Sequence, residues 1–154
     1  MPQPFTTFAL GPEEIGVVFP LVHATAADID LPRWRSFARR MIDAQARPAY
    51  GAIGLRNAAG YICGLLIYRA EHDLRHGAVL AVDLFAALDL LNEERPIRAL
   101  MQVADAKARE LNCAATHIRI GTSQKSLAEY FAAAGYSQEA ILFCKTVEPR
   151  PVAS

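Results

Sequence analysis

Nowhere in the chain do about 18 apolar residues run together, the length a membrane-spanning helix needs, so no segment reads as a membrane span. The first residues carry neither the basic start nor the continuous apolar stretch of a secretory signal. Net charge is also missing. Sixteen Lys and Arg cancel sixteen Asp and Glu, which removes the field that would draw nucleic acid or an anionic membrane surface. A small-molecule or protein partner fits such a surface better. Cysteine is scarce: Cys63, Cys113 and Cys144 are odd in number, far apart and set among apolar neighbours. That excludes a disulfide framework and predicts reduced, buried thiols of a cytoplasmic protein. There is no internal repeat, low-complexity tract or Pro/Gly/Ser linker before the final residues. The expectation is a single domain over 1–147 and a loose tail over 148–154.

What is present is a hydrophobic fraction of 53% beside 21% charged residues, the balance of a globular core-forming chain. A strand is expected near Phe5 to Leu10, then a helix around Glu13 to Val22, although Pro20 sits awkwardly in it. Asp30 can cap a second helix that tolerates Pro32 in its first turn. Trp34, Phe37, Ala38, Met41 and Ile42 give its apolar stripe, and it should end before Pro48. Three antiparallel strands follow: Ala49 to Arg56, Tyr61 to Arg69 after the turn Asn57–Gly60, and Ala78 to about Leu88 after the polar loop EHDLRHG. The second and third are apolar on both faces, which marks a central sheet covered by helices on each side. Ile97, Leu100, Met101, Ala104, Ala108 and Leu111 form one stripe of a helix from about Pro96 to Leu111. Asn112 suits the left-handed position after it. A strand Thr116 to Gly121, a helix from about Gln124 to Gly135 and a strand Ser137 to Val147 complete the chain.

The stretch LNEERPIRALMQ, residues 91–102, makes the turn from strand to helix without a glycine. Pro96 disfavours helical backbone at Arg95 and itself suits a first helical position, so the turn should end at Arg95. The N–H groups of Ile97, Arg98 and Ala99 would then face outward, with the guanidinium groups of Arg95 and Arg98 beside them, an arrangement that can hold an anion. Two glutamates and the side chains of Arg95 and Ile97 oppose it. Asp83 stands as the one charge in an apolar strand, and a buried carboxylate must be paired or used. His72 and His76 lie in the polar loop with Glu71 and Asp73 as local companions, too few ligands to predict a metal centre, and His23 and His117 stand alone. Arg33, Arg35, Arg39, Arg40 and Arg47 make the second helix basic outside its apolar stripe, as a solvated face does.

The element order, carried by AVLAVDLFAAL, PIRALMQVADAKAREL and SLAEYFAAAGYSQEAILFCKTV, resembles the GNAT superfamily of N-acetyltransferases over nearly the whole chain. The resemblance implies a mixed α/β (α+β) domain: a mostly antiparallel sheet of about six strands with helices on both faces. It also implies transfer of an acetyl group from acetyl-CoA, or another acyl-CoA, to a small-molecule or protein amine by direct attack, with no metal. In the family, pantetheine lies along the fourth strand, here at Phe85 to Ala87, and the pyrophosphate lies on the following turn, here Arg95, Ile97, Arg98 and Ala99. The family's Gln or Arg, Gly, and Gly or Ala of that turn fall on Asn92, Arg95 and Ile97, and all three depart from the pattern. A family glutamate base falls at Ala81, two residues before Asp83 and on the same strand face, so Asp83 is the candidate base. The family's tyrosine acid falls on Phe131, leaving the adjacent Tyr130 as the candidate. These departures keep a second reading open: a GNAT-fold protein without catalysis, serving as an acyl-CoA sensor or an interaction module. A homodimer is compatible with either.

Overall fold

The computed structural model describes residues 5–88 and 94–149. Among them lie β1 (Phe5–Ala9), α1 (Phe19–Thr25), α2 (Leu31–Ala44), β2 (Tyr50–Asn57), β3 (Ile62–Asp73), β4 (Gly77–Ala87), α3 (Glu94–Glu110), β5 (Ala115–Ile118) and α4 (Leu127–Ala133). Single 3-10 turns occur at Pro12–Glu14 and Thr122–Gln124. The strands form one sheet in the order β1-β2-β3-β4-β5, antiparallel up to β4 and parallel between β4 and β5.

The two-sided apolar character of β3 and β4 has a direct structural counterpart. Side chains alternate across a strand, so Leu66 and Tyr68 face one side and Leu65 and Ile67 the other. Leu66, Leu80, Val82 and Phe85 pack with Ile97, Leu100 and Ala104 of α3 and Phe131 of α4. On the opposite face Leu65, Ile67 and Ala86 meet Leu21 and Val22 of α1 and Trp34 and Ala38 of α2. Each fully buried Val, Leu, Ile or Phe side chain among them contributes about 1.5–3 kcal/mol.

The helix ends follow local chemistry. Asp30 Oδ1 accepts from Arg33 N–H at 2.9 Å, capping α2 as expected. Within the expected stripe, Trp34 and Ala38 are buried, whereas Phe37 remains 43% exposed. The Trp34 indole donates to Ile15 O at 2.8 Å, tying α2 to the segment before α1. That segment corrects the expected helix over Glu13 to Val22: α1 begins at Phe19. Pro20 explains the shift, because in a helix interior it removes a hydrogen bond and clashes, whereas in the first turn it does neither.

Other boundaries also moved. β3 and β4 extend through most of the expected polar loop, leaving the turn Leu74–Arg75–His76, whose geometry is fixed by Asp73 Oδ2 accepting from Arg75 N–H and His76 N–H at 3.0 Å each. Gly77 completes it at φ 77°, a conformation most side chains resist. Asn112 takes the left-handed position after α3, at φ 55°. β5 stops at Ile118, short of Gly121. The largest difference is at the end: residues 137–149 form neither strand nor helix, so the sheet has five strands among the described residues instead of about six. Ile141, Leu142 and Phe143 are 71%, 67% and 89% exposed. Apolar and β-favouring side chains do not make a strand until a neighbour supplies its hydrogen bonds, and among the described residues none does. Glu148 and Pro149 are exposed; the rest of the expected tail, and residues 1–4, lie outside the described residues.

Candidate active site

β4 and β5 share only a short ladder. It runs from Val79↔Ala115 to Val82↔Ile118, and Arg119 N–H closes it on Val82 O at 3.0 Å. β5 then ends, while β4 continues through Asp83 to Ala87, still paired with β3 on its other edge. The backbone of 83–87 therefore presents an edge with no strand beside it among the described residues. Gln124 reaches back to this edge, donating from Nε2 to Phe85 O at 3.2 Å. The Phe85 ring is buried and meets Phe131 edge-on, with centroids 5.2 Å apart.

Asp83 sits at a bulge. Ile67 is opposite Leu84 and Tyr68 opposite Val82, so Asp83 has no residue facing it across the ladder. Its Oδ2 accepts from Arg69 Nε at 3.0 Å, and the same guanidinium pairs with Glu71 through Nη1. The hydrogen bond to Asp83 raises the Arg69 pKa more than burial lowers it, with the charges of Asp83 and Glu71 adding to the rise. The carboxylate that looked isolated in sequence is thus half of an ion pair, half-buried rather than enclosed. Its Oδ1 carries no hydrogen bond among the described residues.

Tyr130 is half-buried on α4 beside the core, while Phe131 turns inward. No hydrogen bond links Tyr130 to Asp83 among the described residues. Gly135 at φ 95° ends the α4 region, letting Tyr136 fold back on Phe131 with ring centroids 5.6 Å apart. The Tyr136 hydroxyl is buried without a well-formed hydrogen bond. Burial pushes its pKa up to about 12, Asp105 adds to the rise, and Thr116 offsets part of it.

α3 already runs at Glu94, two residues before the expected start, so Arg95 is its second residue and not the end of a turn. Arg98 and Ala99 consequently fall within the i→i−4 ladder, and the N–H groups nearest the helix start are those of Glu94 and Arg95. The Ile97 side chain is 3% exposed and belongs to the core. Arg95 is exposed, Ala99 half-buried, and Arg98 is exposed and paired with Glu94 one turn earlier. Asn92 and Glu93, the rest of the expected anion-binding turn, lie outside the described residues. Cys63 is buried as expected, whereas Cys113 is half-buried and Cys144 exposed.

A second cluster was not foreseen. His117 of β5 is opposite Ala81 of β4 and does not stand alone: its ring lies 5.5 Å from that of His76, edge to face. Asp73, His76 and His117 bring one ligand atom each to within 4.8 Å of one another. His76 Nε2 also contacts Glu139 Oε2 at 2.8 Å. Burial works to raise the Asp73 pKa, but the two turn N–H groups and the adjacent histidines hold it below the usual value. The hydrogen bond to His76 lowers that of Glu139 against a smaller opposing effect of burial. His72, the expected neighbour of His76, is exposed and outside the cluster. The parallel β4–β5 register is the signal that joins these residues, and spacing along the chain does not reveal it.

No family model matches the chain, and no curated protein matches it by sequence. Solved structures match it in shape. The aminoglycoside N-acetyltransferase AAC(6')-Iy in complex with CoA superposes with a TM-score of 0.75 at 10% identity, over 95% of this chain and 98% of that one. The aminoglycoside antibiotic 6'-N-acetyltransferase AAC(6')-Ih from Acinetobacter baumannii gives 0.74 at 10% identity, over 94% and 99%. Glucosamine-6-phosphate N-acetyltransferase from Arabidopsis thaliana gives 0.67 at 10% identity, over 95% and 100%. At these identities the likeness is one of architecture, and by that likeness and its own strand order the chain has the GNAT fold of the N-acetyltransferases.

Proposed function

We propose that the chain is an N-acetyltransferase that transfers an acetyl group from acetyl-CoA to an amine by direct attack. The observation that carries this reading is the open edge of β4 beyond Val82, where an extended amide-bearing donor can hydrogen-bond to the backbone as an added strand would. Phe85 and Ala87 supply that edge, the Phe85 carbonyl on release from Gln124 Nε2. The pyrophosphate would lie at the start of α3, on the Arg95 N–H group and guanidinium, with Arg98 released from Glu94 to join it. Ile97 and Ala99 hold the helix start in place, Ile97 by its burial. Asp83 is the proposed base: its Oδ1 accepts a proton from the attacking amine while Arg69 holds Oδ2. Tyr130 is the proposed acid toward the departing thiolate.

Stability with and without acetyl-CoA tests the reading first. Acetyl-CoA at a hundred times its dissociation constant should stabilise the fold by about 2.7 kcal/mol, seen as a rise in Tm. Thiol release with a panel of amines tests turnover, and Asp83→Asn should lower kcat by about a hundredfold or more while the acetyl-CoA shift persists. Unchanged turnover removes Asp83 from the mechanism.

The second reading, a GNAT-fold protein that binds acyl-CoA as a sensor or serves as an interaction module, is favoured by the ion-paired state of Asp83 and by Glu94 at the helix start. A Tm shift without thiol release selects the sensor, and no shift at millimolar acetyl-CoA selects the interaction module. In either case the exposed apolar run near Ile141 and the edge of β5, unpaired among the described residues, support a homodimer in which each segment covers the other chain.

A further inference from the structure

The β3–β4 turn, β5 and the segment after α4 bring four potential ligand side chains together at the end of β4 away from the candidate acyl-CoA edge. We propose that Asp73, His76 and His117 bind a divalent transition-metal cation of the zinc class, with Glu139 as the fourth ligand.

The donor set points to that class. Two imidazoles with carboxylates suit zinc and its transition-metal neighbours, whereas magnesium and calcium prefer oxygen ligands throughout. Two neutral imidazoles and two carboxylates also carry the charge that a divalent ion cancels. The first three residues already place their ligand atoms within 4.8 Å of one another. Metal–ligand bonds of about 2.0–2.2 Å in a tetrahedral site set those atoms about 3.3–3.6 Å apart, a contraction within reach of side-chain rotation. Asp73 is oriented beforehand, because Oδ2 is committed to the Arg75 and His76 N–H groups while Oδ1 has no hydrogen bond among the described residues.

His117 supplies an independent indication. Its Nε2 is buried with no hydrogen-bond partner among the described residues, although a buried polar atom left unpaired is costly. Coordination would satisfy it. His76 already contacts Glu139, so binding an ion exchanges that hydrogen bond for two metal bonds. The ion would thereby fasten the segment after α4 to the β3–β4 turn, where the His76–Glu139 hydrogen bond joins the two.

The test uses the intact, chelator-treated chain with Zn(II) alone, followed by calorimetry, and with Co(II), followed by visible absorption. One ion per chain, the ligand-field bands of a tetrahedral centre with Co(II), and no binding of Mg(II) are expected. His76→Ala and His117→Gln should each weaken Zn(II) binding by at least about a hundredfold, the upper end of what loss of an outer-sphere partner does. Asp73→Asn keeps a side-chain oxygen for the turn and should weaken binding too. His72→Ala should leave affinity unchanged. If circular dichroism shows that His117→Gln does not fold, His76→Ala, in the turn, decides with Asp73→Asn. Substoichiometric binding, or affinity retained in His76→Ala and Asp73→Asn, would overturn the proposal.

Discussion

Tyr136 and Asp83 show how a side chain's neighbours set its chemistry. Tyr136 is held against Phe131 with its hydroxyl out of water and without a well-formed hydrogen bond, which raises its pKa to about 12. In the unfolded chain a tyrosine titrates near 10, roughly its model-peptide value. The folded pKa is the higher one, so the unfolded state loses its proton first. The associated stability is fully present below about pH 10 and is lost as pH rises from there through about 12. Tyr136→Phe should therefore flatten the alkaline fall in urea midpoint. It should also leave stability at neutral pH equal or slightly higher, since it removes a buried hydroxyl that pairs poorly. For Asp83, the sequence shows a charge that must be compensated. It does not show that Arg69, at Ala81's cross-strand position, compensates it.

At the scale of elements, the helices and the middle strands follow from patterns with a local cause. The Asp30 cap, the α3 stripe and the two-sided apolar run of β3 each need only near neighbours, and each is seen where the sequence puts it. Boundaries turn on single residues and on strand pairing: Pro20 delays the start of α1 to Phe19, within the expected helix, and pairing with β4 carries β3 into the expected loop. Close packing within the sheet is likewise invisible in sequence. A Cβ at Gly51 would lie 2.3 Å from the hydroxyl oxygen of Tyr68, a residue only 5% exposed. Gly51→Ala should therefore destabilise the fold by about 1–3 kcal/mol, through displacement of a packed ring, with a lower urea midpoint and an unchanged slope.

For the molecule as a whole, the unresolved demand is the apolar run after Tyr136. Phe143 is 89% exposed and belongs to neither core cluster among the described residues, so replacing it with aspartate should leave the monomer's circular dichroism unchanged and its stability within about 0.5 kcal/mol. If the homodimer forms through this run, sedimentation velocity should show concentration-dependent association in the parent chain and its loss in Phe143→Asp. A parent chain that is monomeric at all concentrations removes the homodimer. No helix among the described residues is long and apolar enough to cross a membrane.

The sequence by itself determined the apolar periods, and these are enough to require a two-sided sheet with amphipathic helices on its faces. Hydrophobic burial depends on which positions are apolar, and that is written locally along the chain. The sequence also pointed to Asp83 and to the start of α3 as places where charge needs an explanation. Tertiary structure alone decided that β4 runs on past β5, leaving a backbone edge, and that Arg69 answers Asp83. It likewise brought His117 beside His76 and left the last apolar segment unpaired among the described residues. Each depends on strand register or on long-range pairing, and those relations link residues with no periodic or sequential connection.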